Sequence, residues 1–274
     1  MLTLINFSDK KFKKKQKLNS LSGKLFGRID KIIEYNFDDI DKDFLNRNKE
    51  TINNSLRGLG SFFWKPYFVE KTLNELNEGD FLIYADSGSI FLKDIKPLLA
   101  YMDELKKDIL CFQLPLIEKQ WTKRDTFVLM NCDSEEYSKS SQILATFFIL
   151  RKSEDGLFFI REWKDYCCDS RVLSDKPNTM GIENYDGFIE HRHDQSVLSL
   201  LCKKYADKVL TIGDISDYGF YPYRYYKKNK NRLFTTDIQY PFKGFILSTR
   251  SERTVTYLFK YLIRRLLLIF NIKI

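Results

Sequence analysis

Phe81-Leu82-Ile83-Tyr84-Ala85-Asp86-Ser87-Gly88-Ser89 is the stretch on which the reading of this chain turns. A fully apolar run of this length, bounded by Gly79-Asp80 on one side and an acidic turn on the other, predicts a strand buried on both faces in the middle of a sheet. In open α/β sheets ligands bind at the carboxyl ends of the strands. Asp86 therefore stands where a carboxylate can hold a ribose hydroxyl, or a metal carried on a diphosphate. Gly88 lets the backbone come close to a ligand. Asp-Ser-Gly is equally good chemistry for a plain strand-to-helix turn, and these residues alone do not separate the two readings.

Outward from this stretch, short apolar runs alternate with helical patterns. Leu2 to Phe7 and Ile32 to Tyr35 read as strands, with a Lys-rich, Ser- and Gly-punctuated stretch between them. A helix begins near Pro66, with Val69, Leu73 and Leu76 at helical spacing. Residues 93 to 106 return to helix, Ile109 to Phe112 to strand, and residues 138 to 151 run from helix into strand. Residues 157 to 167 read as helix. Asp194 opens another, whose inward face is Val197, Leu198, Leu201 and Cys202, and Val209 to Ile212 is a late strand. From Pro115 to Tyr137 the pattern is irregular, and residues 214 to 244 read as long loops. The alternation predicts an α/β domain with a mostly parallel sheet covered by helices. We expect one domain over residues 1 to 250, followed by a basic amphipathic tail over residues 251 to 274.

Composition narrows the partners. The 274 residues are 43% hydrophobic and 30% charged, which suits a folded domain and argues against a disordered or membrane-embedded chain. No apolar run reaches 18 residues, so no transmembrane helix is expected, and residues 1 to 7 read as a first strand and not a signal peptide. The formal charge of +8 is concentrated at both ends, in Lys10, Lys11, Lys13, Lys14, Lys15 and Lys17 and again in Arg250, Arg253, Lys260, Arg264, Arg265 and Lys273. Such runs serve as solvated faces or meet phosphorylated substrates, anionic lipid or nucleic acid. Five cysteines without a CxxC pair, and only two histidines, give little support to a zinc site and suit a reduced, cytoplasmic protein.

Two further segments carry candidate chemistry. In Arg57-Gly58-Leu59-Gly60-Ser61-Phe62-Phe63-Trp64-Lys65-Pro66, two glycines precede a helix start, and Arg57 and Lys65 add positive charge to a helix end that favours anions. This suits a diphosphate. Trp64 is read either as a stacking surface for a base or sugar or as core. In His191-Arg192-His193-Asp194-Gln195-Ser196, Asp194 either caps the next helix or stands with Gln195 at the rim of a site.

Taken together, these segments resemble a known pattern. Tyr84-Ala85-Asp86-Ser87-Gly88 is similar to the DxD-type turn of GT-A glycosyltransferases. The Gly58-x-Gly60 to Trp64-Lys65-Pro66 stretch is similar to that of bacterial surface-polysaccharide and lipopolysaccharide glycosyltransferases with a Trp-Lys-Pro signature. His193-Asp194-Gln195-Ser196 resembles their late Asp-Gln motif, which glycosyltransferase family 8 also carries. The resemblance spans roughly residues 1 to 215. It departs at Gly88, which holds the second acidic position, and in having no histidine after His193. Binding of Mn or Mg at Asp86 is therefore expected to be weak or absent.

The resemblance implies a GT-A-like fold and a nucleotide-sugar donor, UDP-linked, whose sugar passes to a saccharide or lipid-linked acceptor in surface polysaccharide synthesis. Asn6, Arg57, Trp64, Lys65, Asp86, Ser87 and Gly88 fall on the donor side, and Lys123, Arg124 and His193 on the acceptor side. Asp194 is the candidate base if the reaction inverts, and Gln195 lies nearer the reacting face if it retains. The rival reading is a binding module for nucleic acid or anionic lipid on the same fold. It leaves Asp86 and the Asp194-Gln195 pair without a task, and no nucleic acid partner is expected. A nucleotidyltransferase would want paired metal carboxylates, and Asp86 has no such neighbour in sequence. The tail, with Arg253, Lys260 and Arg264 on one helical face and Leu258, Tyr261, Leu262, Leu266 and Ile269 on another, predicts a helix lying on the inner face of an anionic membrane.

Overall fold

The computed structural model describes residues 1–53, 58–217, 231–249 and 253–270. Its strands are β1 (Leu2–Phe7), β2 (Lys31–Tyr35), β3 (Phe81–Ala85), β4 (Ser89–Phe91), β5 (Ile109–Ile117), β6 (Ser141–Arg151), β7 (Val209–Gly213) and β8 (Ile246–Ser248). Six of them form one sheet in the order β2-β1-β3-β6-β5-β7, and β4 pairs with β8 apart from it. The pairs β1/β2, β1/β3 and β5/β7 are parallel, and β6 runs against both of its neighbours. The mostly parallel α/β sheet expected from the sequence is what forms, with one reversed strand.

The apolar run 81–85 lies inside this sheet for a physical reason. Successive side chains of a strand point to opposite faces, so a strand covered on both sides must be apolar at every position. Leu82 and Tyr84 enter one core with Phe7, Phe68 and Trp163, while Ile83 and Ala85 enter the other with Phe91, Leu98 and Phe112. The longer helices are α1 (Lys13–Leu25), α2 (Trp64–Glu75), α3 (Lys96–Glu104), α4 (Glu154–Cys168), α5 (Asp194–Lys204) and α6 (Thr254–Ile269). α2, α4 and α5 cover the first face, and α3 covers the second.

Pro66 sits in the first turn of α2, where its missing N–H costs no helical bond. β5 continues through Pro115 to Ile117, with its register against β6 shifting between Gln113 and Ile117. A proline is tolerated at such an irregularity. The parallel strands bring the carboxyl ends of β1 and β3 to one edge of the sheet, and β4 turns back beneath that edge to meet β8.

Candidate active site

Asp86 begins the turn that leaves β3. Its N–H donates to the Thr146 carbonyl at 2.8 Å, and its own carbonyl accepts from the Ser89 N–H at 2.8 Å. These bonds fix the turn, while its side chain stays 41% exposed at the sheet edge. The Tyr84 hydroxyl, from within the strand, donates to the Asp86 carboxylate at 2.6 Å.

Beneath Asp86 lies Lys65. Its ammonium is 2.7 Å from Asp194 Oδ2 and 3.6 Å from Asp86 Oδ1. It also donates to the Ala145 carbonyl at 3.1 Å and lies over the rings of Tyr84 and Phe62. The side chains of Lys65 and Asp194 are 4% and 5% exposed. Burial works to lower the Lys65 pKa, but Asp194 and Asp86 outweigh it, and the net direction is up. Burial pushes the Asp194 carboxyl up, with Lys65 working against it. An ammonium wedged between two carboxylates keeps its proton. The turn that delivers it is tight: Gly60, Ser61 and Phe62, just before α2, all have positive φ.

The remaining sequence candidates take these places. Gln195 is half-buried, donates to Gln142 Oε1 at 2.9 Å and accepts from the Ala145 N–H at 3.4 Å, so Ala145 joins it to Lys65. Asn6, at the carboxyl end of β1, donates to Asn19 Oδ1 at 2.7 Å and to Ser20 Oγ at 3.1 Å. Trp64 is core: its ring stacks on Phe7 at 3.7 Å. Ser87 and Gly88 form the half-buried tip of the Asp86 turn. Arg57 lies outside the described residues.

His193, with φ 51°, is buried with Nδ1 3.0 Å from the Leu173 carbonyl. His191 accepts the Lys123 N–H at Nδ1 and has Nε2 3.0 Å from the Val172 carbonyl, an arrangement that calls for the neutral Nε2–H tautomer. Burial first, then His193 and Lys123, hold its pKa well below the usual imidazole value. Lys123 is buried with its ammonium on the Lys176 carbonyl at 3.2 Å. Arg124 pairs with Asp133 at 2.7 Å and covers the Tyr185 ring. The contacts of Lys123 and Arg124 tie down the segment between α4 and α5.

The structure thus brings Asp86, Lys65, Asp194 and Gln195 into one cluster. It adds Asn19, Gln142 and Thr249, none of which stands out in the sequence, and a role for the Tyr84 hydroxyl. That role was hidden because an aromatic residue inside an apolar strand reads as core. Thr249, just past β8, touches the Asp86 turn across 161 residues of chain, a contact that no local pattern announces.

Among the described residues no group of three or more His, Cys, Asp or Glu side chains is placed to hold a metal. Asp86 offers an outward carboxylate, but Asp194 is turned to Lys65. These residues do not by themselves make a divalent-metal site, which takes several oxygen ligands.

No family model matches the sequence, and no curated protein matches it by sequence. By structure, the chain has the GT-A fold of glycosyltransferases. It is similar to mouse xyloside xylosyltransferase 1, at 10% identity and TM-score 0.50, over 91% of this chain and 97% of that one. It is also similar to the glycosyltransferase GlyE of Streptococcus pneumoniae, at 14% identity and TM-score 0.45, over all of this chain and 64% of that one. The galactosyltransferase LgtC, solved with donor and acceptor sugar analogues, aligns at 12% identity and TM-score 0.44, over 90% of this chain and 86% of that one. At such identities the likeness speaks to the fold.

Proposed function

We propose that this chain is a glycosyltransferase that moves a sugar from a nucleoside-diphosphate donor, UDP-linked, to a saccharide or lipid-linked acceptor. The observation that carries the reading is the exposed Asp86 carboxylate at the carboxyl edge of a GT-A sheet, directly above the buried Lys65–Asp194 pair. That edge is where open α/β sheets bind ligands, and a buried ion pair beneath it holds the site's shape without taking part in exchange with solvent.

In the reaction, the acceptor oxygen bonds to the anomeric carbon. The bond from that carbon to the β-phosphate oxygen breaks, and its electron pair leaves on the diphosphate. The hydroxyl proton passes to an oxygen of that diphosphate. Asp194 is a poor base for this proton, because its carboxylate faces Lys65 inside the protein. Gln195 is the better placed of the two to touch a sugar: it is half-buried and held by Gln142 and Ala145. Asp86 orients the donor, and positioning of this kind supplies a large share of such a rate enhancement. Surface polysaccharide synthesis at the inner face of a membrane is the setting we infer, supported by the basic amphipathic helix α6.

A panel of nucleotide sugars, scored for hydrolysis and for thermal stabilisation, tests this. One donor should raise the melting temperature and be turned over, and Asp86→Ala should abolish transfer in a protein that still folds, with some loss of melting temperature from the unpaired Tyr84 hydroxyl. No response to any donor, with binding to anionic vesicles intact, would leave a binding module instead. Full turnover by Asp86→Ala would remove Asp86 from the site.

A further inference from the structure

Gln195, the half-buried side chain placed to touch a sugar, does not set its own orientation. Its amide is held from both ends. Nε2 donates to Gln142 Oε1 at 2.9 Å, and Oε1 accepts the Ala145 N–H at 3.4 Å. Both contacts come from β6, whose amino end lies at the carboxyl edge of β3 because the two strands are antiparallel.

The orientation of Gln142 is itself forced. Its Oε1 also accepts from Arg192 NH1 at 3.2 Å. A guanidinium and an amide NH2 are donors only, so turning the Gln142 amide over would set its own NH2 against two donors. The side chain is fully buried, and its Nε2 meets no acceptor among the described residues. A buried N–H left in that state costs about 1–3 kcal/mol. The fold bears this cost in an arrangement where the carbonyl serves Gln195 and Arg192.

Arg192 is fixed in turn. Its guanidinium lies 3.8 Å from the centre of the buried Trp121 ring, and its N–H donates to the Trp121 carbonyl at 3.1 Å. The next residue, His193, adopts φ 51° and ψ −125°, a backbone conformation that side-chain-bearing residues rarely take. That turn sends Arg192 to Gln142 and Asp194 to Lys65. Strain of this kind persists only where the surroundings over-determine it. Here the Leu173 carbonyl on His193 Nδ1 does so from one side, and the two side-chain contacts do so from the other.

Resting on the glycosyltransferase reading above, we infer that Gln142 is a positioning residue, whose side-chain oxygen holds the Gln195 amide in one orientation towards the sugar. Gln142 is fully enclosed and acts through Gln195. The last bond of a glutamine side chain turns in a broad, roughly two-fold well, so an unheld amide exchanges its oxygen and its NH2. With Nε2 held at Gln142, that exchange is blocked before the sugar arrives. Misplacing such a group by about 1 Å costs on the order of a hundredfold in rate.

Kinetics of the full chain tests this, using whichever of UDP-glucose, UDP-galactose, UDP-N-acetylglucosamine and UDP-glucuronate wild type hydrolyses fastest. Gln142→Leu should lower kcat roughly tenfold to a hundredfold and leave the donor KM within about twofold. Gln142→Glu keeps an oxygen that accepts from both Gln195 and Arg192, and should recover most of that loss. Gln142→Asn, a methylene too short to reach, should lose as much as Gln142→Leu, and it carries the comparison with Gln142→Glu if the leucine variant does not fold. In a Gln195→Ala background, Gln142→Leu should change kcat by no more than about twofold, because its partner is already gone. Wild-type kcat in Gln142→Leu overturns the inference while the enzyme reading stands. So does an equal loss in Gln142→Glu, or a full further loss in the Gln195→Ala background, since either marks damage that does not pass through Gln195. If wild type hydrolyses none of the four donors, the glycosyltransferase reading fails first and this one with it.

Discussion

Lys65 illustrates how burial changes what a charge does. In sequence it sits at a helix start beside glycines, the usual place for a phosphate ligand. In the folded chain it is enclosed by Asp194, Asp86, the Ala145 carbonyl and two aromatic rings. Removing one partner of a buried pair leaves the other charged and unsolvated, which costs about 3–5 kcal/mol. Lys65→Ala should therefore lose about that much stability in urea unfolding. A phosphate ligand would behave differently: stability would hold while UDP affinity fell by roughly 1.5–3 kcal/mol. His191 offers a second test through pH. It is held neutral by burial, so it takes up its proton only on unfolding. Its contribution is fully present above its ordinary value of 6.5 and is lost as the pH falls below that. Unfolding free energy should drop by up to about 1.4 kcal/mol per pH unit below 6.5, and the slope should shrink in His191→Gln. An unchanged slope in that variant would place the titrating group elsewhere. The sequence pointed to Lys65 but could not tell a surface ligand from a buried partner, because that difference is made by Ala145 of β6 and Asp194 of α5, far along the chain.

Elements were legible in proportion to how much of their buried face is apolar. β3, α2 and α5 bury Leu, Ile, Phe and Val, and their periods show plainly in the sequence. α1 was invisible for the opposite reason: the residues it buries are Gln16, Asn19, Ser22 and Gly23. A helix that packs through hydrogen bonds leaves no hydrophobic stripe, and its lysines read as a charged, Ser- and Gly-punctuated stretch between two strands. β8 is three residues long and has meaning only through its pairing with β4. The polar packing of α1 should be costly to disturb. Gln16→Leu leaves the Ser8 hydroxyl without its acceptor, while the Tyr35 carbonyl keeps only the Ser8 N–H, and an unpaired buried group of this kind costs about 1–3 kcal/mol. Urea unfolding of Gln16→Leu should show a loss in that range. If the variant is as stable as wild type, α1 is held by something other than this network.

At the scale of the whole molecule, the two basic ends of the chain meet. Leu18 of α1 and Leu258 and Tyr261 of α6 pack against one small cluster of Ile90, Leu247 and Tyr257, and the Tyr257 hydroxyl reaches the buried Asp217. α6 is thus tied to the body by one face. The sequence placed Leu258 and Tyr261 on the same lipid-facing side as Leu262 and Leu266, but the structure divides them, with Leu258 and Tyr261 against the protein. The outward face carries Val255, Phe259, Leu262, Leu266 and Phe270, spaced by four, three, four and four residues, with Phe259 65% and Leu262 58% exposed. Among the described residues no helix is long and apolar enough to cross a membrane. A stripe of this kind on the outside of a domain suits insertion into the headgroup region of a bilayer; Lys260 lies on the same helix and Arg253 just before it, with Lys14 on α1 and Lys10 and Lys11 just before that helix. Each basic residue close to an anionic surface adds about 1 kcal/mol, and the attraction weakens with salt. The triple variant Phe259→Ser, Leu262→Ser, Leu266→Ser should keep its melting temperature, because none of the three side chains is buried, and should no longer cosediment with vesicles of phosphatidylglycerol and phosphatidylcholine. Wild type should cosediment with those vesicles, less so at high salt, and not with pure phosphatidylcholine. Cosedimentation of the triple variant at the wild-type level would show that α6 does not meet the membrane through its outer face.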